Sequence, residues 1–472
     1  MTTDPVRADR QESRVAFLLV LLAAVVIAFA SARPDAGGWN DGSRLASIES
    51  LVDHHTWAID QSIFVEPWAF DFPAGRTPYS DDSGLMKVGT GDKMKVGDHF
   101  YSDKPPVPSL FLAGWYYLLK WTTGLNARER PDLFCYWMTV ASSGLAYVVA
   151  VWAIYRLGLV LQLSPVLRIL LTASFGLATV ALPYTRHANN HIWMLGVAAP
   201  IMLGLARLTE KRDSVESWLR PLGLGIVAGL GYTFDSAAGP LLLVGTLALL
   251  TYRRPGFLLP AMFLLGALPG VVLHHGITYQ LFGELLPPNA NPAYWDYPGS
   301  GFDRSNLTGH WNHQSWVDFV DYAATLWVGE RGFLALNTPL WLALPAFVLL
   351  LFQRVSLPEL VFMAAWVGGT WLLYAVLSTN YGGHAVSIRW FVPFLAPGFY
   401  VLGVFLQRYP QYVWDFAILT GWGAICAWIT WFYGPWWVPR FWALQSLALL
   451  SWAACWAWRA RRPRADSAIA LP

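Results

Sequence analysis

The chain contains 472 residues, of which 55% are apolar and only 13% are charged, and its mean hydropathy is +0.40. Soluble domains carry about 25% charged residues, so the composition excludes a protein whose whole surface faces water. The net charge of +2 gives no electrostatic reason to expect a nucleic-acid partner. The three cysteines lie inside apolar runs, which argues against a disulfide framework and a cysteine metal site.

Apolar runs follow one another along most of the chain, and a helix needs roughly 20 residues to cross a bilayer. They predict an all-α polytopic membrane protein with about twelve transmembrane helices. The predicted spans lie near residues 15–32, 133–156, 166–183, 192–208, 221–235, 237–252, 256–277, 334–353, 357–378, 390–407, 412–432 and 439–458.

The first apolar run has two interpretations. Arg14 followed by a run that ends in Ala30-Ser31-Ala32 matches a secretory signal peptide with its cleavage site. The run is long for a signal peptide, and this favours a retained transmembrane helix. Both interpretations leave the residues after position 32 outside.

The apolar segment 106–122 decides the sidedness of every later loop. If it lies along the outer interface, Lys and Arg fall mostly in the inner loops, as short cytoplasmic loops require. If it crosses, that pattern inverts throughout. We therefore predict an interfacial helix here. The predicted inner cations are Arg7, Arg10, Arg14, Arg156, Arg168, Arg207, Lys211, Arg212, Arg220, Arg253, Arg254, Arg354, Arg408, Arg459, Arg461, Arg462 and Arg464.

This topology places two long loops outside, and all ten histidines fall in or beside outer segments. Long loops inside a compact architecture are usually functional or disordered, and the aromatic content of these two predicts that they fold. The active face is therefore expected outside. The predicted parts are a cytoplasmic N-terminus with the first helix (1–32), a first outer loop (33–132), transmembrane helices (133–277), a second outer loop (278–333), further transmembrane helices (334–458) and a basic cytoplasmic tail (459–472).

Short phrases in the outer segments carry a family resemblance. The first loop holds WNDGSR at 39–44 and YSDKPP at 101–106, directly before the interfacial segment. An acidic residue after the first span, followed some sixty residues later by acid-Lys-Pro-Pro, resembles the GT-C glycosyltransferases. That family includes protein O-mannosyltransferases and aminoarabinose lipid A transferases. Further phrases similar to the family's are YQLFGE at 279–284, ERGF at 330–333 and NYGG at 380–383 with Arg389 after it.

The resemblance implies a GT-C-like bundle that uses a sugar on a polyprenyl phosphate as donor and a lipid, glycan or protein as acceptor. An attacking acceptor needs a proton acceptor, and Asp41 stands where the family keeps its acidic residue. Its alternative role is to cap a helix that begins near Ser43. The family's O-mannosyltransferases have Asp-Glu where this chain has Asn-Asp.

Cations suit the departing lipid phosphate. The resemblance places Lys104 there, and the positions of Arg389 and Arg331 at the starts of spans suit the same task. Each could instead anchor the chain at the membrane interface. Asp103 stands where some relatives hold a divalent metal, and no other cofactor is expected.

Other polar residues are candidates for contacting substrate. They are Asn40 and Arg44 in the first loop, Asn189 and His191 in the turn 184–191, and His275 at the end of a span. His187 and His191 would share one face if that turn were helical. Asp235, between two spans, suits either a site or a plain reverse turn.

Two other classes of function are alternatives to a transferase. A transporter would show broken or polar helices near the bilayer midplane, often in two matching halves, and the predicted spans show neither. A non-catalytic lipid-binding or envelope-assembly protein of the same fold is the remaining alternative.

Overall fold

The computed structural model describes residues 5–208, 218–253, 255–437 and 440–461. The expected inner cations Lys211, Arg212, Arg254, Arg462 and Arg464 lie outside these residues. The helices are α1 (Pro5–Ser31), α2 (Trp39–Glu49), α3 (Pro106–Thr123), α4 (Pro131–Thr139), α5 (Leu145–Val160), α6 (Pro165–Leu177), α7 (Asn190–Leu208), α8 (Leu219–Phe234), α9 (Ala238–Arg253), α10 (Leu258–Phe282), α11 (Trp316–Thr325), α12 (Phe333–Leu336), α13 (Pro339–Phe352), α14 (Leu357–Leu377), α15 (Leu395–Arg408), α16 (Val413–Tyr433) and α17 (Trp442–Ala460).

The expectation of an all-α polytopic membrane fold is confirmed. In the described ranges the one sheet is a two-stranded hairpin of β1 (Lys93–Val96) and β2 (His99–Ser102). Each predicted span coincides with a helix, but the count of about twelve stays a prediction. Within the described residues, six segments are long and apolar enough to cross a membrane: Arg14–Ser31, Pro131–Val160, Leu258–Phe282, Leu357–Leu377, Arg389–Arg408 and Pro410–Tyr433. Shorter apolar helices lie at Pro165–Leu177, Ala238–Arg253 and Pro339–Phe352.

Glycines bring α8 and α10 into backbone contact. A Cβ at Gly225 would lie 2.0 Å from the carbonyl oxygen of Phe263, and one at Gly266 would lie 2.2 Å from that of Leu222. Each helix repeats its glycine four residues later, as membrane helices do where their backbones approach closely. The corner after α8 and the end of α10 are thereby held near each other.

The two helices of the first loop, α2 and α3, pack against each other. α2 begins at Trp39 after the extended Gly38, earlier than the predicted start near Ser43. α3 coincides with the predicted interfacial segment and packs along α2. Its Lys120 donates to Asp53 Oδ1 at 2.6 Å, and Tyr116 donates to Asp53 Oδ2 at 2.8 Å. These contacts hold α3 against the rest of the first loop, which suits the predicted interfacial position.

The hairpin joins the two outer loops. Strands β1 and β2 pair Lys93 with Ser102 and Val96 with His99. The two-residue turn begins with Gly97 at φ +61°, a backbone that favours glycine. Met94 on β1 packs in a small core with Trp295 and Leu307. The loop 278–333 therefore folds onto the first loop and covers one end of the bundle.

The α8–α10 contact generates a stability test. We expect Gly225→Ala to destabilise the protein by about 1–3 kcal/mol, because a methyl group cannot fit against the Phe263 carbonyl without displacing a helix. Gly223→Ala on the same helix is the matched control, since its Cβ meets nothing within 4 Å. Thermal unfolding in detergent measures both; equal midpoints for the two variants would contradict the close approach.

Candidate active site

A cavity of about 930 Å³ lies at the end of the bundle where the outer loops meet. Its walls come from segments predicted to lie outside: the first loop, the α8–α9 corner, the end of α10, the loop 278–333 and residues 380–390. Residues far apart in sequence therefore share one end of the bundle. The predicted site residues that line the cavity are Asn40, Arg44, Asp103, Lys104, His191 and Arg389.

Two cations meet on one amide group in this cavity. When the Asn40 amide is assigned in the orientation that gives both of its polar atoms a partner, its side-chain oxygen accepts from Lys104 Nζ and from Arg389 Nη1, each at 3.0 Å. Two donors on one oxygen at this distance lie at most about 6 Å apart. An ammonium and a guanidinium this close repel each other, so the position favours an acceptor with negative charge.

Carboxylates hold Lys104 from its other side. Its Nζ donates to Asp92 Oδ2 at 2.5 Å and to Asp103 Oδ2 at 2.7 Å. Asp103 also accepts from Ser43 Oγ at 3.2 Å. Burial raises the pKa of Asp103 to about 6, and the charge of Lys104 opposes that rise. With Asn40, these oxygens satisfy the three ammonium hydrogens, so an incoming anion would compete with the neutral Asn40 first.

Arg44 is a third cation in the same wall. It is 1% exposed, and its Nη2 donates to Asn190 Oδ1 at 2.7 Å. Its Nε and Nη1 have no hydrogen-bond partner in the described part of the chain. Burial lowers the pKa of Arg44 to about 10, with Asp103 opposing and Arg389 adding to that shift, so the group stays charged at neutral pH. A buried N–H group without a hydrogen-bond partner costs about 1–3 kcal/mol of stability. An anionic ligand that accepted from these groups would remove that cost.

A glycine turn brings Arg389 to the cavity. Gly382 and Gly383 have φ of +75° and +77°, and Asn380 Oδ1 accepts from the Gly382 N–H at 3.0 Å. A Cβ at Gly382 would lie 3.2 Å from Arg389 Cγ. Glycine is needed here for both the left-handed backbone and the space. The NYGG phrase thus positions the arginine that follows it.

The turn before α7 holds two histidines that each face a carboxylate. His187 Nδ1 lies 3.4 Å from Asp41 Oδ2, and His191 Nδ1 lies 3.3 Å from Asp235 Oδ2. His187 has extended backbone, and α7 begins only at Asn190, so the two rings do not share a helical face. His191 and Asp235 line the cavity; His187 and Asp41 are not among its lining residues.

Asp41 lies behind the cavity wall. It is 1% exposed, and its Oδ2 accepts from the Gly37 N–H at 2.7 Å. It sits in the first turn of α2, so it stabilises the helix start from inside and not as the cap residue that the sequence suggested. Its role as proton acceptor stays a prediction.

Three further predicted residues do not line the cavity. Asn189 is 1% exposed and accepts from the His191 N–H at 2.9 Å, which satisfies the start of α7. His275 contacts Tyr232 Oη at 2.7 Å, and its neighbour His274 lines the cavity instead. Arg331 is not part of the cavity wall either. A helix period or a span boundary does not determine which of two adjacent side chains faces inward.

Sequence reasoning missed Asp92 and Tyr374, which both line the cavity. Asp92 had a readable signal, because a two-residue turn at Gly97-Asp98 pairs Lys93 with Ser102 and so sets position 92 opposite 103. Tyr374 had none. Tyr374 donates to Asp235 at 3.0 Å, and its ring stacks on that of Trp390. Both contacts depend on packing between segments that are distant in sequence.

The residues present do not make a metal site. No group of three or more His, Cys, Asp or Glu able to hold a metal ion occurs in the residues that the structure describes. Asp92 and Asp103 are a carboxylate pair, and the ammonium of Lys104 already lies between them. The expected metal at Asp103 therefore stays a prediction that this donor set does not support.

Glu49 is a buried carboxyl that supports the site helix. It ends α2, is 2% exposed, and accepts from Ser62 Oγ at 2.5 Å and from the Ile63 N–H at 3.1 Å. Burial raises the pKa of Glu49 to about 8. The group is therefore mostly protonated at neutral pH and links α2 to the segment after it.

Two solved structures are similar to the chain over 93% of its length. One is ArnT from Cupriavidus metallidurans bound to undecaprenyl phosphate, with 12% identity, 75% of that chain covered and a TM-score of 0.47. The other is the apo oligosaccharyltransferase from Archaeoglobus fulgidus, with 11% identity and a TM-score of 0.44; this chain spans 54% of its length. The chemistry of the site follows from the side chains described above. No family model and no curated protein matches the chain.

The Glu49 carboxyl generates a pH test. The unfolded chain loses this proton near pH 4.5 and the folded chain only near pH 8, so the contribution of Glu49 to stability falls as pH rises between these values. Glu49→Gln keeps a neutral hydrogen-bonding group and removes that slope. We expect the unfolding midpoint of Glu49→Gln to rise relative to that of the parent as the pH rises. The exposed Glu66→Gln is the control, and a midpoint difference that does not change with pH would contradict the assignment.

Proposed function

We propose that this protein is a membrane glycosyltransferase that moves a sugar from a polyprenyl-phosphate donor to an acceptor hydroxyl or amine at the outer face of the membrane. The single observation that carries the proposal is the contact of Lys104 and Arg389 on the Asn40 oxygen, beside the unfilled donors of Arg44. Around Lys104, the three cations with the carboxylates of Asp92 and Asp103 leave one local positive charge; the third carboxylate of the cavity, Asp235, accepts from Tyr374 and from the start of α9. That balance suits a phosphate, which is the group that must leave.

The cations are placed to act on the leaving group. When the bond between the anomeric carbon and the phosphate oxygen breaks, negative charge builds on that oxygen, and fixed donors in a dry site stabilise it. Arg389 and Arg44 offer several N–H groups in a rigid plane, which suits phosphate oxygens. The Asn40 oxygen marks the position where a phosphate oxygen would accept from both Lys104 and Arg389.

The cavity also has a wall suited to the lipid part of a donor. α10 contributes Thr278, Leu281 and Phe282 to the lining. Outer side chains of the same helix, such as Leu268 and Val272, are exposed, as expected of a helix that faces lipid. A polyprenyl chain could therefore leave the cavity beside α10 while its phosphate stays on the cations.

A single displacement at the anomeric carbon completes the proposed reaction. The acceptor oxygen or nitrogen attacks from the side opposite the phosphate, so the anomeric configuration inverts. The sugar is a hexose or a pentose, and the proposed setting is the plasma membrane of a bacterium. Binding of a lipid phosphate without transfer would instead favour the non-catalytic alternative.

The donor site generates a mutational test. Purified protein is incubated with a panel of polyprenyl-phosphate sugars, and release of free polyprenyl phosphate is measured. We expect Lys104→Ala and Arg389→Ala each to lower kcat by about 10²–10³-fold, the usual effect of removing one donor to a developing charge. Arg331→Ala is the matched control, an outer arginine outside the cavity wall, and should stay within threefold of the parent. Equal losses in all three variants would contradict the assignment.

The amide between the cations gives a second test. Asn40→Asp puts a fixed negative charge where the donor phosphate is proposed to bind, and should weaken binding of polyprenyl phosphate by about tenfold or more. Asn40→Ala removes the same hydrogen bonds without adding charge and should weaken it far less. Binding is measured directly by competition against a labelled lipid phosphate. Equal effects of the two variants would argue against an anion at this position.

Chelation tests the role of metal. Because Lys104 already lies between Asp92 and Asp103, we expect transfer to persist after treatment with EDTA, within about twofold of the untreated rate. Lys104→Ala, treated in parallel, serves as the comparison, since removal of the ammonium frees Asp92 and Asp103. Loss of transfer on chelation, with recovery on adding a divalent ion, would restore the metal expectation.

A further inference from the structure

The cavity contains a buried His–Asp pair that the phosphate chemistry does not use. His191 is 4% exposed, Asp235 is 3% exposed, and both belong to the cavity wall. His191 Nδ1 lies 3.3 Å from Asp235 Oδ2. A carboxylate at this distance favours the tautomer with the proton on Nδ1, and Nδ1 makes no hydrogen bond to any other described residue.

Asp235 is itself held in place by donors from two elements. Its Oδ1 accepts from the N–H groups of Ala237 and Ala238 at 2.9 and 2.8 Å, at the start of α9. Tyr374 on α14 donates to it at 3.0 Å, and the Tyr374 ring stacks on Trp390 at 4.2 Å between centroids. Because these donors already occupy its oxygen, the Asp235 carboxylate is less able to take a proton from the acceptor substrate. Asp235 is therefore a positioning residue.

His191 is the group of this pair that a substrate can reach. Because Nδ1 is buried against Asp235 and the residue lines the cavity, Nε2 is the nitrogen available to the cavity contents. The residue before it, Asn190, accepts from Arg44 at 2.7 Å, which links the histidine to the proposed phosphate site. Burial lowers the pKa of His191, which lies before the predicted span at 192–208; Asp235 opposes this shift, and the charges of Arg389 and Arg44 add to it.

A neighbouring His–Asp pair has similar geometry but lies outside the cavity wall. His187 and Asp41 have nearly the same contact, 3.4 Å, four residues earlier in the chain. Neither lines the cavity, and Asp41 is engaged by the Gly37 N–H at 2.7 Å. The same two residue types thus occur once behind the wall and once in it.

We infer that His191, oriented by Asp235, is the general base that takes the proton from the acceptor during transfer. This inference rests on the proposed function. As the acceptor oxygen forms its bond to the anomeric carbon, its proton passes to Nε2 of His191, and the bond from that carbon to the phosphate oxygen breaks. The electron pair of the broken bond leaves with the polyprenyl phosphate. The proton on His191 returns to solvent when the product departs.

The test is a set of pH–rate profiles of transfer, with the full-length protein and the best donor of the panel. A general base must be unprotonated, so kcat/KM of the parent should fall at low pH. His191→Ala should lower kcat by about 10²–10³-fold, leave affinity for polyprenyl phosphate within twofold, and lose that acidic limb. Added imidazole should raise the kcat of His191→Ala by at least tenfold. Asp235→Asn should shift the limb without abolishing transfer.

His187→Gln is the matched control and should retain the acidic limb, while His191→Gln checks that the loss does not come from misfolding. The inference is overturned if His191→Ala keeps the limb, or loses lipid-phosphate affinity as steeply as kcat. It is also overturned if Asp41→Asn abolishes the limb while His191→Gln keeps it, since Asp41 would then be the base. Absence of transfer by the parent with every donor would overturn the proposed function itself.

Discussion

Three cations crowded into one buried wall form the constraint on which the site depends. Lys104 and Arg389 share the Asn40 oxygen, and Arg44 keeps buried donors that no described residue fills. Charges in such a place are costly unless paired, and Asp92 and Asp103 pair only part of them. The same low dielectric that makes this arrangement expensive strengthens its attraction for a phosphate. The arrangement of charges in this wall is therefore the one that the proposed phosphate ligand requires.

The fold provides this wall from elements that have no sequence proximity. The hairpin turns the chain so that the two carboxylates bracket Lys104, and a left-handed glycine pair brings in Arg389. Close glycine contacts between α8 and α10 hold the α8–α9 corner beside the end of α10. Each of these structural features is local, but the cavity forms only where all of them come together. A small shift of one helix would therefore separate charges that the others cannot bring back.

The two His–Asp pairs illustrate how position decides the work of a side chain. Identical residue types at similar distances lie four residues apart along one turn. One pair supports the start of α2 behind the wall, and the other adjoins the space where an acceptor would stand. Residue type gives both pairs the same chemical capacity, and of the two only His191 and Asp235 line the cavity. For the same reason the acid that the family resemblance selected, Asp41, has a rival in its own neighbourhood.

Composition and apolar run length were enough to determine a helical membrane protein, because lipid allows only helices and closed barrels to satisfy the backbone. Lys104 and Arg389, which stand in or after the phrases YSDKPP and NYGG and were predicted to bind phosphate, both line the cavity; their role on phosphate stays a prediction. Only the tertiary structure decided that Asp41 lies behind the wall, that His274 and not His275 faces the cavity, and that Asp235 meets His191. Such facts depend on the rotation of one helix against another, and packing between distant segments sets that rotation. No local pattern of residues records it.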